Sequence, residues 1–235
     1  MNRKMKTLRT LMLFAVVALA AATFQSCDLD DDDDAHWSSS IQLATATIKP
    51  SENSWYMQLN DSVVLSPSNA AAFKLPEKET RAYIRYTLNR EQPTVEDIRN
   101  YSINLLSVDT FLTKKMAPLV LEPEKVYGND PVEIVNSWET VAEDGYLNIR
   151  FRTRFSSGKT HRVNLVHRTD ANTPYLVDFF HDANGDTNGV VADDVVAFKL
   201  DEAFNYADMP IEITLRWNSY SGEKTATFKY IPRKE

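Results

Sequence analysis

The chain has 235 residues, 43% hydrophobic, 11% aromatic and 25% charged, a globular profile that excludes disordered and collagen-like classes. Its net charge of -7 argues against a nucleic-acid partner, which calls for a basic balance. A single cysteine excludes a disulfide framework and any multi-cysteine metal site.

The N-terminus reads as an address. Arg3, Lys4, Lys6 and Arg9 precede the apolar run Leu11–Phe24, and no acid appears before Asp28. That is the n-region and h-region of a secretory signal, too short for a confident membrane span. The run ends at Gln25-Ser26-Cys27, where the lone cysteine sits at the expected cleavage site. Removal of residues 1–26 and acylation of Cys27 follow from that placement, although Phe24 and Gln25 stand where Leu and a small residue are usual. Ser26-Cys27 resembles the looser lipobox of Bacteroidota lipoproteins. Each buried methylene adds about 0.8 kcal/mol, so several acyl chains give durable anchoring where one does not.

Residues 27–35 form an acidic tether, with six aspartates between Asp28 and Asp34. Like charges repel and keep such a run extended and solvated. Acids directly after a lipidated cysteine resemble the signal that sends Bacteroidota lipoproteins to the cell surface. The expected location is therefore the outer membrane with outward display, the periplasmic face being the alternative. Beyond the tether the body carries 22 basic against 27 acidic residues, so the acidity is concentrated in the stalk.

The body reads as all-β, in two domains. Over 36–116, strands are expected at Ser38–Ile48, Ser54–Leu59, Ser62–Leu65, Arg81–Leu88 and Tyr101–Leu112, with a short helix at Asn69–Phe73. Five strands with a helix between the third and fourth suit an OB-like Greek-key barrel. Residues 117–130 carry Pro118, Pro123 and Gly128 without alternation and read as a linker. Over 131–235, seven strands are expected at Val132–Val141, Tyr146–Phe155, His161–His167, Tyr175–Phe180, Val191–Lys199, Ile211–Trp217 and Lys224–Tyr230. Turns at Asp144-Gly145, Ser157-Gly158 and Ser221-Gly222 separate several of them. This is the pattern of a seven-stranded immunoglobulin-like β-sandwich, without its cysteine pair.

Lipobox, aspartate run, a first hairpin reading Trp55-Tyr56-Met57-Gln58-Leu59-Asn60-Asp61-Ser62, and a sandwich carrying His181-Asp182-Ala183-Asn184-Gly185-Asp186-Thr187 together resemble the NigD-like lipoproteins. The resemblance spans essentially the whole mature chain. It implies an envelope lipoprotein linked to a bacteriocin gene cluster, with no catalytic residues to transfer.

Two constellations are candidate sites. Arg150, Arg152 and Arg154 share the outward face of one strand. A hairpin with the next strand would set Arg154 against Arg162 and Arg152 against Asn164. Like charges across strands are destabilising unless neutralised. The four arginines therefore predict either an anion site for an acidic glycan or envelope partner, or pairing with carboxylates such as Glu133, Glu139 and Asp178. The second constellation is Asp182, Asn184, Asp186 and Asn188, whose alternate oxygens resemble the first half of a calcium loop. Thr187 stands where that loop needs glycine, and Asp193 where it needs glutamate, so an ordinary interstrand loop is the competing reading.

His161 and His167 fall on inward parity, as do Trp55, Trp138 and Trp217, which leaves Trp37 as the aromatic free for exposure. Catalysis finds little footing. Cys27 is consumed by lipidation, and neither a G-x-S-x-G elbow nor an H-E-x-x-H pair is present. The expected role is non-enzymatic binding or assembly at the envelope, without a cofactor unless the loop takes calcium. Two alternatives remain: an accessory or protective factor of a bacteriocin system, and a glycan hydrolase built on paired carboxylates.

Overall fold

The structure, a computed structural model, describes residues 40–51, 54–74, 77–90, 99–156, 158–170, 172–207 and 209–233. The signal, Cys27, the aspartate tether, His36 and Trp37 lie outside the described residues.

Alternation builds the first module. Strands β1 (Gln42–Pro50), β2 (Trp55–Gln58), β3 (Val63–Pro67), β4 (Thr80–Leu88) and β5 (Arg99–Thr110) close into a barrel of order β1-β2-β3-β5-β4. β3 runs parallel to β5, and β1 closes the barrel against β4. Inward residues Ala46, Ile48, Met57, Leu65, Ala82, Ile84, Ile103 and Leu105 form its core. The expected helix shrinks to one 3-10 turn, Ala70–Ala72, between β3 and β4. Three alanines lack the length that helix nucleation needs.

The second module begins inside the segment read as barrel and linker. Strand β6 (Leu112–Lys115) pairs in parallel with a strand far along the chain, and Ala117 bridges to Val166. Helix α1 (Pro123–Tyr127) follows, with Pro123 buried at its start. Next come β7 (Glu133–Ile134), β8 (Val141–Glu143), β9 (Tyr146–Phe155), β10 (Arg162–Asp170), β11 (Thr173–Asp182), β12 (Val190–Lys199), β13 (Ile211–Ser219) and β14 (Gly222–Tyr230). One sheet has order β10-β11-β13-β14, and the other β6-β12-β9-β7, with β8 also on β9. The inner faces bury Leu147, Ile149, Phe151, Leu165, Val177, Phe179, Val196, Phe198, Ile213, Leu215 and Trp217 in one core.

The all-β class holds: an OB-like barrel followed by a β-sandwich. In detail the sandwich has more than seven strands, and β11 pairs with β13 in parallel. The predicted strand Val132–Val141 is two short pieces with a turn between them. Thr140 explains the break: its hydroxyl donates to the Val135 carbonyl at 2.7 Å and accepts the Arg150 amide at 3.1 Å, replacing ladder bonds with a side-chain staple.

Barrel and sandwich belong to one compact unit. The joint is polar and buried. Arg81 of β4, wholly inaccessible, donates to Thr47 and Thr45 at 3.0 Å each and to Asn148 of β9 at 3.2 Å, and pairs with Glu143 of β8. Lys49 of β1 meets Asp144 at 2.8 Å. Glu79 accepts from Tyr146 at 2.6 Å and from Arg233 at 2.8 and 3.1 Å. Burial alone would raise the Glu79 pKa, but these donors outweigh it and hold the carboxyl down to about 2.

Candidate binding face

Tyr146 and Asn148 of β9 are buried where they bond to Glu79 and Arg81, whereas Arg152 and Arg154 further along the same strand are exposed. Period-2 alternation puts Arg150, Arg152 and Arg154 on the outer face of the β12-β9 sheet. On one side of β9 lies β12, with Arg154 opposite Val191, Arg152 opposite Asp193 and Arg150 opposite Val195, and on the other lies β7, with Glu133 opposite Arg152. Asp193 therefore sits between two guanidiniums, 2.7 Å from Arg150 and 2.5 Å from Arg152. Glu139 takes the other edge of Arg150 at 3.0 and 3.1 Å. Its arginine partners hold the Asp193 carboxyl below the usual range. Arg154 differs. Its guanidinium donates to the Gly189 carbonyl at 3.2 Å, and among the described residues no carboxylate pairs with it.

The expected four-arginine patch is corrected in two respects. β9 and β10 do not form a hairpin, since β9 pairs with β12 and β10 with β11 in the opposite sheet. Arg162 consequently faces Asp182 at 3.9 Å, separated from the other three. Of the expected counter-charges, only Glu139 serves the row. Glu133 pairs with Lys224 at 2.8 Å, and Asp178 is gripped by Arg168 and Arg216. Asp193, the main neutralising residue, was missed because the register that opposes it to Arg152 is a long-range pairing.

Trp138 is the second correction. Its inward parity presumed a continuous strand, but the residue lies in the turn after β7 and is 50% exposed. Tyr83 of β4 meets its ring edge-on, with centroids 5.9 Å apart and planes at 67°. Phe111 in turn packs on Tyr83 at 5.0 Å. The Trp138 turn is tied to β9 from both sides: Val135 N–H donates to the Arg150 carbonyl at 2.9 Å, and Thr140 receives the Arg150 amide. Burial raises the Tyr83 pKa to about 12, with the negative charges of Glu139 and Asp194 adding and Arg150 opposing. At the far end of the face a cavity of about 290 Å³ is lined by Glu133, Arg152, Thr153, Arg154, Val191 and Tyr220.

Two of the proposed calcium residues, Asp186 and Asp182, are engaged within the chain. Asp186 is buried and turned inward, accepting from the Ser156 hydroxyl at 2.6 Å and the Ser156 amide at 2.7 Å, which lowers its pKa. Asp182 caps its own turn by accepting the Asn184 amide at 2.7 Å. Asn184 is at φ 52 and Asn188 lies further along the exposed loop. Among the described residues no group of three His, Cys, Asp or Glu is placed to hold a metal ion.

His161 and His181 lie at 2.9 Å beside Asp186, His181 buried and His161 with only its ring covered. The set contains serine, histidine and aspartate, but the serine donates to the aspartate and His161 bonds to that aspartate and to His181, so no imidazole accepts the serine proton as in a nucleophilic triad. Burial, and then the neighbouring His161, keep the His181 pKa below its ordinary value.

Barrel, polar joint and sandwich define an all-β, two-module protein in which the outer face of the β12-β9 sheet carries exposed arginines. Residues 115–230 match the family model of the NigD-like C-terminal beta sandwich domain. The chain belongs to the NigD-like family. Among solved structures it is similar to a protein of Parabacteroides distasonis described as "toxin related". The identity is 27% with TM-score 0.69, over 81% of this chain and 93% of that one. It is also similar to a protein of unknown function from Bacteroides vulgatus, at 22% identity and TM-score 0.67, over 83% of this chain and 96% of the other. A NigD-like immunity protein of Bacteroides caccae shares 19% identity with TM-score 0.54, over 84% of this chain and all of that one. The last two show the fold alone. A comparison with curated proteins gives no match. Among the described residues no helix is long and apolar enough to cross a membrane.

Proposed function

We propose that this chain is a lipid-anchored envelope protein that binds a partner through the open β12-β9 face and performs no chemistry of its own. The observation that carries the reading is that face, where Trp138, Tyr83 and the arginine row are held in fixed positions before any ligand arrives. Such preorganisation lowers the entropic cost of binding. The Ser156-Asp186-His161 set supports the absence of catalysis, since the Ser156 hydroxyl and the His161 ring both bond to Asp186 and neither histidine is positioned as base to the hydroxyl.

Anchoring rests on the secretory signal and the lone Cys27, and outward display on the aspartates that follow. A second reading, a protective or accessory factor of a bacteriocin system, draws on family membership and on the relative described as toxin related. Under that reading the partner at the face is a bacteriocin component.

The test is fractionation of cells carrying wild type or Cys27→Ala, with protease shaving of intact cells. Wild type is expected in the outer membrane and shaved from outside, and the variant in the soluble fraction. A wild-type chain released without acyl groups removes the anchor from the account, and survival of the body under protease moves it to the periplasmic face.

A further inference from the structure

We propose that the open face is a saccharide site, with Trp138 as the stacking platform and Arg154 as the receptor for an acidic group on the same chain of sugars. The inference rests on the binding role above and names its ligand class.

Three features of the face point to this ligand. The first is an aromatic ring that is exposed yet immobilised. Trp138 is half in solvent, but Tyr83 braces its ring edge-on and the Val135–Thr140 turn is bonded to Arg150 at both ends. A large apolar ring is costly to leave in water unless something is laid on it. The apolar C–H face of a sugar fits that need and leaves its hydroxyls pointing outward. The second feature is the charge state of the strip that begins beside Trp138. Arg150 and Arg152 are already satisfied by Glu139 and Asp193. The strip therefore offers planar donors and acceptors side by side without a net cation, the array that pairs of sugar hydroxyls can bridge.

The third feature is Arg154, whose charge no carboxylate among the described residues meets. It lines the 290 Å³ cavity with Val191 and Tyr220, the latter 55% exposed, and the one carboxylate of that lining, Glu133, is already paired with Lys224. Four residues along an extended strand set Arg154 about 13 Å from Arg150. The site thus has an apolar-neutral end and a cationic end, and one occupant with matching polarity is an oligosaccharide containing a uronic or similar acidic sugar. A folded acidic protein would answer Arg154 but has no reason to require Trp138.

The experiment titrates the mature full-length protein, in detergent, with galacturonate oligomers, neutral galactan oligomers of equal length, and poly-aspartate, while following tryptophan emission and heat. Galacturonate is expected to bind with an emission change, neutral galactan more weakly, and poly-aspartate without an emission change. Trp138→Ala should weaken both saccharides about tenfold. Arg154→Ser should abolish the preference for the acidic series and its salt dependence while neutral binding persists. An unchanged thermal midpoint shows that each variant is folded, and Trp138→Phe should restore part of the binding.

Saccharide binding that is indifferent to both substitutions overturns the proposal, as does poly-aspartate binding that depends on Arg154 alone. If no saccharide binds but a photo-crosslinker at Val191 still captures an envelope component, the ligand class falls and the binding role stands. If neither occurs, both fall.

Discussion

At the scale of single residues, the histidine pair makes stability depend on pH. His181 is held neutral by burial, with His161 against it, Asp182 nearby and the Asp130 carbonyl accepting at 3.3 Å. Its folded pKa lies below the ordinary 6.5, so the unfolded chain binds its proton first. This contribution is complete above pH 6.5 and is lost as pH falls toward the folded value. Urea unfolding midpoints should therefore drop between about pH 7.5 and about pH 5, and His181→Gln should flatten that limb. An equal pH slope in the variant would assign the effect elsewhere. The inward parity of His161 was legible from alternation in the sequence. Its partnership with His181 and Asp186 was not, because residues 156–161 and 181–186 are two separate segments that only the folded structure brings together.

Elements show the same division between local and distant information. Strands β4 and β13 were readable because their apolar residues alternate without interruption, Ala82, Ile84, Tyr86 and Leu88 in the one and Ile211, Ile213, Leu215 and Trp217 in the other. Val132–Val141 alternates too, yet Thr140 competes for the backbone and breaks the run, exposing Trp138. Likewise the arginine row was visible as a pattern, but its neighbouring strand was not. A β9–β10 hairpin is the economical guess for adjacent strands, whereas a sandwich can send the second strand to the opposite sheet. Gly189 illustrates how tightly the β9-β12 ladder ends. A Cβ there would stand 2.0 Å from the Phe155 carbonyl oxygen, so the backbone itself must shift. Gly189→Ala should cost about 1–3 kcal/mol in equilibrium unfolding, the range for overpacking. A cost near zero would show that the loop relaxes freely.

The whole molecule is organised by the polar joint, which decides how much of the β12-β9 face the barrel covers. Arg81 is the centre of that joint, donating to the barrel and the sandwich at once. Removing one member of a buried pair leaves the other charge uncompensated and typically costs about 3–5 kcal/mol. Arg81→Ala should lower unfolding stability by that amount, whereas an exposed pair such as Lys125–Glu122 contributes about 0–1 kcal/mol. A loss from Arg81→Ala no larger than from Lys125→Ala would show that the modules do not depend on this contact. The sequence revealed two modules through composition and turns, but the outward threonines and arginine of β1 and β4 carry no mark distinguishing a joint from a solvated surface. The most direct test of the account is site-specific photo-crosslinking in intact cells, with the probe at Val191 on the open face or at exposed Glu212 on the opposite sheet. The account predicts a discrete adduct from Val191 that Trp138→Ala diminishes, and none from Glu212. Adducts from Glu212 alone, or equally from both, would contradict it.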